Sequence, residues 1–96
     1  MNNWPFADPR NVATFTVRQV VKEGLPILLV SHDSEDGAWQ FLAGLDPDTA
    51  DLMVVCLEEI ISIDPSLVEL ADLPLGWQAT RTMPGQPWSR SVSQNA

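Results

Sequence analysis

The sequence holds little of what chemistry is usually built on. One cysteine, Cys56, stands in a chain of 96 residues, so no disulfide can close within it and no oxidising compartment is needed. Cys56 lies in the apolar run Leu52-Met53-Val54-Val55-Cys56-Leu57, which predicts a small buried hydrophobe and not a nucleophile. No apolar run approaches the ~20 residues of a membrane helix. Met1 to Pro5 lack a basic segment followed by an apolar one, so no secretory signal is expected and the expected location is the cytoplasm. There is no glycine-rich phosphate loop, no Gly-x-Ser-x-Gly elbow, no pair of histidines on a helix and no cysteine pair. No internal repeat is present.

Positive charge is the other scarcity. From Glu23 to Thr80 there is no Lys or Arg, while the same span holds every acidic residue except Asp8. The cations Arg10, Arg18, Lys22, Arg81 and Arg90 lie towards the two ends, and the formal net charge is -8. Such a field repels nucleic-acid phosphates and anionic membrane surfaces. Neither is an expected partner; the charge serves to keep a small domain soluble, with a basic protein partner as the alternative.

What is present describes one globular domain. Hydrophobic residues make up 45% and charged residues 19%, a balance that builds a core and does not suit a disordered chain. The organising stretch is Ile27 to Leu42, where two apolar runs flank a short acidic segment ending in Gly37. That is the pattern of a β-hairpin. Ile27 to Val30 reads as a strand covered on both faces. Asp33 to Gly37 makes the turn, and Trp39 and Phe41 share one side of the returning strand with Gln40 on the other. Burying such a ring contributes roughly 2 to 3 kcal/mol, so both anchor the core.

Around the hairpin, residues 1–12 read as an arm whose Trp4 and Phe6 dock on the domain, since Pro5 and Pro9 cannot continue a helix or central strand. Phe15 to Gly24 is ambiguous: Val17, Val20 and Val21 with Gly24 as stop fit a helix capped by Thr16, while β-branched content suits a strand. The helix is favoured. Asp48 to Ile63 reads as a strand, Leu52 to Cys56, followed by a helix, Leu57 to Ile63. Asp64 then caps a short helix with Pro65 at its first position. Trp77 to Thr82 reads as the final strand. Residues 13–88 thus form one α+β domain: a small antiparallel sheet built on a central hairpin, packed against two or three short helices. Residues 89–96 are polar, without apolar periodicity, and read as a flexible tail.

Three candidate sites deserve weighing. His32, the lone histidine, has Ser31 and Asp33 beside it, yet adjacent strand residues point to opposite faces and cannot form a triad. His32, Asp33, Glu35 and Asp36 could hold a hard cation weakly, but the spacing of a calcium loop is missing and one histidine makes no zinc site. A solvated acidic turn is the simpler reading, with no metal and no cofactor. Glu58 and Glu59, about 100° apart on a helix, do not face each other as an acid and base pair would.

Asp36 to Gly44, Leu57 to Ser66 and Leu73 to Arg81 together resemble a bacterial family of small immunity-protein-like domains associated with polymorphic toxin systems. The likeness covers Pro26 to Arg81 and rests on Trp39, Phe41, Gly44, Asp64, Pro65 and Gly76; the tract Leu45 to Asp51 is shorter than the acidic insertion of the group. It implies an α+β fold and a binding function, with no catalytic residues. The expected function is therefore a non-enzymatic acidic binding protein, an immunity protein that neutralises a cognate toxin. The expected contact residues are Asp33, Glu35, Asp36, Asp46, Asp48 and Asp51. The alternative is an accessory domain acting as a homodimer through an exposed sheet edge, with no toxin partner.

Overall fold

A computed structural model describes residues 4–44 and 51–93. Its centre is one six-stranded mixed sheet. The strands are β1 (Ala13–Val17), β2 (Leu29–His32), β3 (Trp39–Leu42), β4 (Leu52–Cys56), β5 (Trp77–Thr80) and β6 (Ser89–Val92), in spatial order β4-β1-β3-β2-β5-β6. Helix α1 (Arg18–Glu23) follows β1, α2 (Leu57–Ile63) follows β4, and a 3-10 helix (Pro65–Leu70) follows α2. The α+β class expected from the sequence is the class found. None of the helices is long and apolar enough to cross a membrane.

The hairpin is central, as its apolar content requires. β2 and β3 pair antiparallel with Val30 opposite Phe41 and His32 opposite Trp39. β2 begins two residues later than expected, although Leu28 N–H already donates to the Leu42 carbonyl at 2.9 Å and Ile27 is buried. Val30, Trp39, Phe41 and Ala79 line one face of the sheet with Thr14, Thr16 and Val55, all buried. The helices supply Val20, Leu57, Ile60, Leu67 and Leu70 to the same core. From the arm, the Phe6 ring meets Trp39 edge-on at 5.4 Å. The other face is open, so Leu29 is only half-buried and the strand is covered on one side alone.

The sheet departs from the all-antiparallel expectation at one place: β1 runs parallel to β3. The reason is topological. The short α1 connection sends β2 back against the direction of β1, and β3 inserts between them, so it must be parallel to one neighbour.

The ambiguous stretch Phe15 to Gly24 resolves into both alternatives in succession. Thr16 is not a cap; it sits in β1, fully buried, and its hydroxyl donates to the Phe41 carbonyl at 2.7 Å. β-branched Thr14, Thr16 and Val17 take the pleated surface, and the better helix formers from Arg18 onward turn. Gly24, at φ 74°, closes α1 by donating to the Gln19 carbonyl. The later boundaries fall as expected, with β4 giving way to α2 at Leu57. Asp64 accepts from the Ser66 N–H at 3.1 Å with Pro65 in the first turn.

Trp77–Thr80 is not the final strand. Ser89–Val92 forms β6 against β5, where a flexible tail was expected. Strand pairing is made by the backbone, and all four residues are exposed, so no apolar alternation announces it. Arg90 pins the strand, donating to the Glu69 carbonyl at 2.8 Å and pairing with Asp72 at 2.9 Å.

Candidate functional site

The acidic turn between β2 and β3 is built by its own carboxylates. Asp33 N–H donates to the Ala38 carbonyl at 2.8 Å, and Gly37 N–H returns to the Asp33 carbonyl at 2.9 Å. Asp36 Oδ1 accepts from Ala38 N–H at 2.9 Å, which closes the loop as an Asx turn does. Asp33 also accepts from Ser31 Oγ at 3.3 Å and from Gln40 Nε2 at 2.8 Å, using both oxygens. Half-buried Asp33 is thus held by its neighbours, while Glu35 and Asp36 stand exposed at the tip. Beside them opens a cleft of about 240 Å³ bounded by Asp33, Glu35, Asp36, Gln40, Gly76 and Ser93.

Among the described residues no cation pairs with this tip. Each arginine is engaged with a carboxylate elsewhere: Arg10 with Glu58 at 2.7 Å, Arg18 with Glu23 and Asp51 at 2.9 and 3.0 Å, Arg81 with Asp64 at 2.7 Å, and Arg90 with Asp72 at 2.9 Å. Lys22 lies in the last turn of α1. Hydrogen bonding to Asp51, then the charge of Glu23, raises the Arg18 pKa above its ordinary value. The hydrogen bond from Arg90 holds the Asp72 carboxyl below the usual carboxylate range.

Among the described residues, the expected contact residues do not gather into one patch. Asp33, Glu35 and Asp36 share the hairpin tip. Asp51 precedes β4, whose Leu52 pairs with Val17 at the far end of β1. Because β1 and β3 are parallel with Phe15 beside Gln40, that end lies level with Leu42, about 10 to 15 Å of strand away from the tip. Asp51 accepts from Arg18 at 3.0 Å and is already paired. Asp46 and Asp48 lie outside the described residues.

His32 is committed to structure. Its Nδ1 lies 2.8 Å from the Leu73 carbonyl, a contact that requires Nδ1 to carry the proton and donate. Its ring stacks on Trp39 with centroids 3.9 Å apart and 11° between planes. Among the described residues no group of three or more His, Cys, Asp or Glu side chains is arranged to hold a metal ion. Glu58 and Glu59 are exposed in the first turn of α2, where they complement the helix dipole.

Two features went unread in the sequence. One is Arg81, a cation buried in the core. Its only signal is position, directly after an apolar strand and in reach of an Asp-Pro-Ser cap. The other is the open face beside β4, where Leu52, Val54 and Phe15 are 72%, 61% and 39% exposed. Cys56 shares that strand and is half-buried, not buried. Comparison with family models, curated proteins and solved structures gives no match.

Proposed function

We propose that this chain is a non-enzymatic binding protein whose hairpin tip docks on a basic protein, in the way an immunity protein covers the basic active surface of a cognate toxin. The observation that supports it is the uncompensated tip: Glu35 and Asp36 are exposed beside a cleft, while every arginine is paired elsewhere. Exposed like charges on a rigid hairpin speed encounter with an opposite surface and reject acidic ones. The resemblance of Pro26 to Arg81 to immunity-protein-like domains supplies the class of partner.

The test is affinity capture at low salt from the native cell, with the wild type and a Glu35→Gln, Asp36→Asn variant as bait. The asparagine keeps the oxygen that accepts from Ala38, so the turn survives. A basic protein encoded next to this gene should be held by the wild type, weakened about tenfold by the double substitution, and released as salt rises. Recovery of no basic partner, or of one indifferent to the substitutions, would overturn the reading.

A further inference from the structure

The two edges of the sheet are built differently. β6 is guarded by Ser89, Arg90 and Ser91, polar or charged and exposed, as edges that must stay unpaired are. β4 has no such guard. Leu52-Met53-Val54-Val55-Cys56 carries no charge, no proline and no glycine, and among the described residues it pairs only with β1.

The register fixes which backbone groups of β4 are free. Arg18 N–H donates to the Asp51 carbonyl at 2.6 Å and Leu57 N–H to the Val12 carbonyl at 2.9 Å, so positions 51, 53, 55 and 57 turn their hydrogen-bonding groups towards β1. By the alternation of an antiparallel ladder, Leu52, Val54 and Cys56 turn theirs outward. An unguarded row of outward N–H and C=O groups is a template for another strand.

We propose that β4 is a homodimer interface in which two copies pair antiparallel, with Val54 at the two-fold axis and Leu52 of each copy opposite Cys56 of the other. The pattern of free groups is self-complementary in this register, as an isologous contact demands. Charge agrees with it. Arg18 and Asp51 sit at one end of β4, Arg10 and Glu58 at the other. Antiparallel pairing brings the Arg18–Asp51 pair of one copy to the Arg10–Glu58 pair of its mate, so the carboxylates that meet across the edge are each accompanied by an arginine. Two of the chain's few cations are thus placed at this edge and not at the acidic tip. The two-fold axis is normal to the sheet, so Phe15, Leu52 and Val54 of both copies join into one apolar stripe on the open face while the two hairpin tips stay free. The interface is independent of the tip and stands or falls separately from it.

Val54→Lys and Val54→Pro test it. Val54 is 61% exposed and its N–H points away from β1, so both variants keep the fold, and the lysine variant decides if the proline disturbs the strand. A five-residue strand contact is small and its dimer is concentration-dependent. In sedimentation from about 10 to 500 µM the wild type should shift from monomer to dimer mass, and both variants should remain monomeric. Mild oxidation of Leu52→Cys should cross-link it through Cys56 of the second copy, since facing strand residues lie about 5.5 Å apart. The wild type should not cross-link, because the two native cysteines are four residues out of register. A monomer throughout the range, a dimer that survives both Val54 substitutions, or a dimer of Leu52→Cys that fails to cross-link would each overturn the pairing.

Discussion

Arg81 donates from Nη2 to Asp64 Oδ2 at 2.7 Å inside the domain, with 3% of the arginine side chain and 23% of the aspartate side chain exposed. The same guanidinium donates to the Ile27 carbonyl at 3.1 Å and to Ser66 Oγ at 3.2 Å, and lies 4.1 Å from the centre of the Trp88 ring. One side chain thereby ties the end of β5, the segment before β2 and the cap of the 3-10 helix. Removing one partner of a buried pair leaves the other without compensation. Arg81→Met is therefore expected to lower unfolding free energy by about 3 to 5 kcal/mol, read from urea denaturation. Arg81→Lys should recover little, because an ammonium cannot reach these acceptors with one planar fork. A loss below about 1 kcal/mol for Arg81→Met would show that the network is dispensable.

The tip turn rests on one backbone conformation. Gly37 has φ 73°, and a Cβ there would meet nothing within 4 Å. The cost of Gly37→Ala is thus purely conformational, about 1 to 2 kcal/mol, with no clash to relieve. Thermal denaturation should show the loss with an unchanged folded-state spectrum. If the tip docks on a basic partner as proposed, affinity for that partner should fall with it even though neither carboxylate is altered.

His32 separates a structural role from a catalytic one. His32→Ala removes the donor to Leu73 and the stack on Trp39, and should cost about 1 to 3 kcal/mol. His32→Phe keeps a ring over Trp39 and should recover part of that loss. Partner capture at a temperature where the variants are folded should match the wild type. Loss of capture by folded His32→Phe would mean that the imidazole acts beyond the fold.

These residues also show what the sequence could reveal. Local chemistry was legible: the acidic turn between apolar runs, Trp39 and Phe41 on one face, the change from strand-forming Met53-Val54-Val55 to helix-forming Leu57-Glu58-Glu59, and the cap at Asp64. Each depends on neighbours a few positions apart. The parallel pairing of β1 with β3 depends on where strands distant in sequence insert, and no local pattern encodes it. β6 is recruited by the free edge of β5 and by Arg90, so its polar side chains look like a tail. Arg81 reads as one more terminal cation until the fold buries it. Asp51 lies apart from Asp33, Glu35 and Asp36 for the same reason: nearness in composition says nothing about which end of a strand each occupies.

The hold of β6 on the domain supplies a pH dependence whose direction follows from Asp72. The Arg90 hydrogen bond lowers its pKa in the folded protein below the ordinary value of 3.8. A carboxyl with a depressed folded pKa contributes stability above its unfolded value, and that contribution fades as pH falls through the lower folded value. Asp72→Asn removes the titration while leaving the bond from Arg90 to the Glu69 carbonyl. Amide exchange in β6, expressed as the ratio of variant to wild-type rates, should exceed one at about pH 5 and fall towards one as the pH drops below 3.8 and through the lower folded value. Taking the ratio cancels the intrinsic acid dependence of exchange. A ratio that stays constant across this range would show that β6 is held by backbone pairing and the Glu69 contact, and that the Asp72 charge contributes nothing to it.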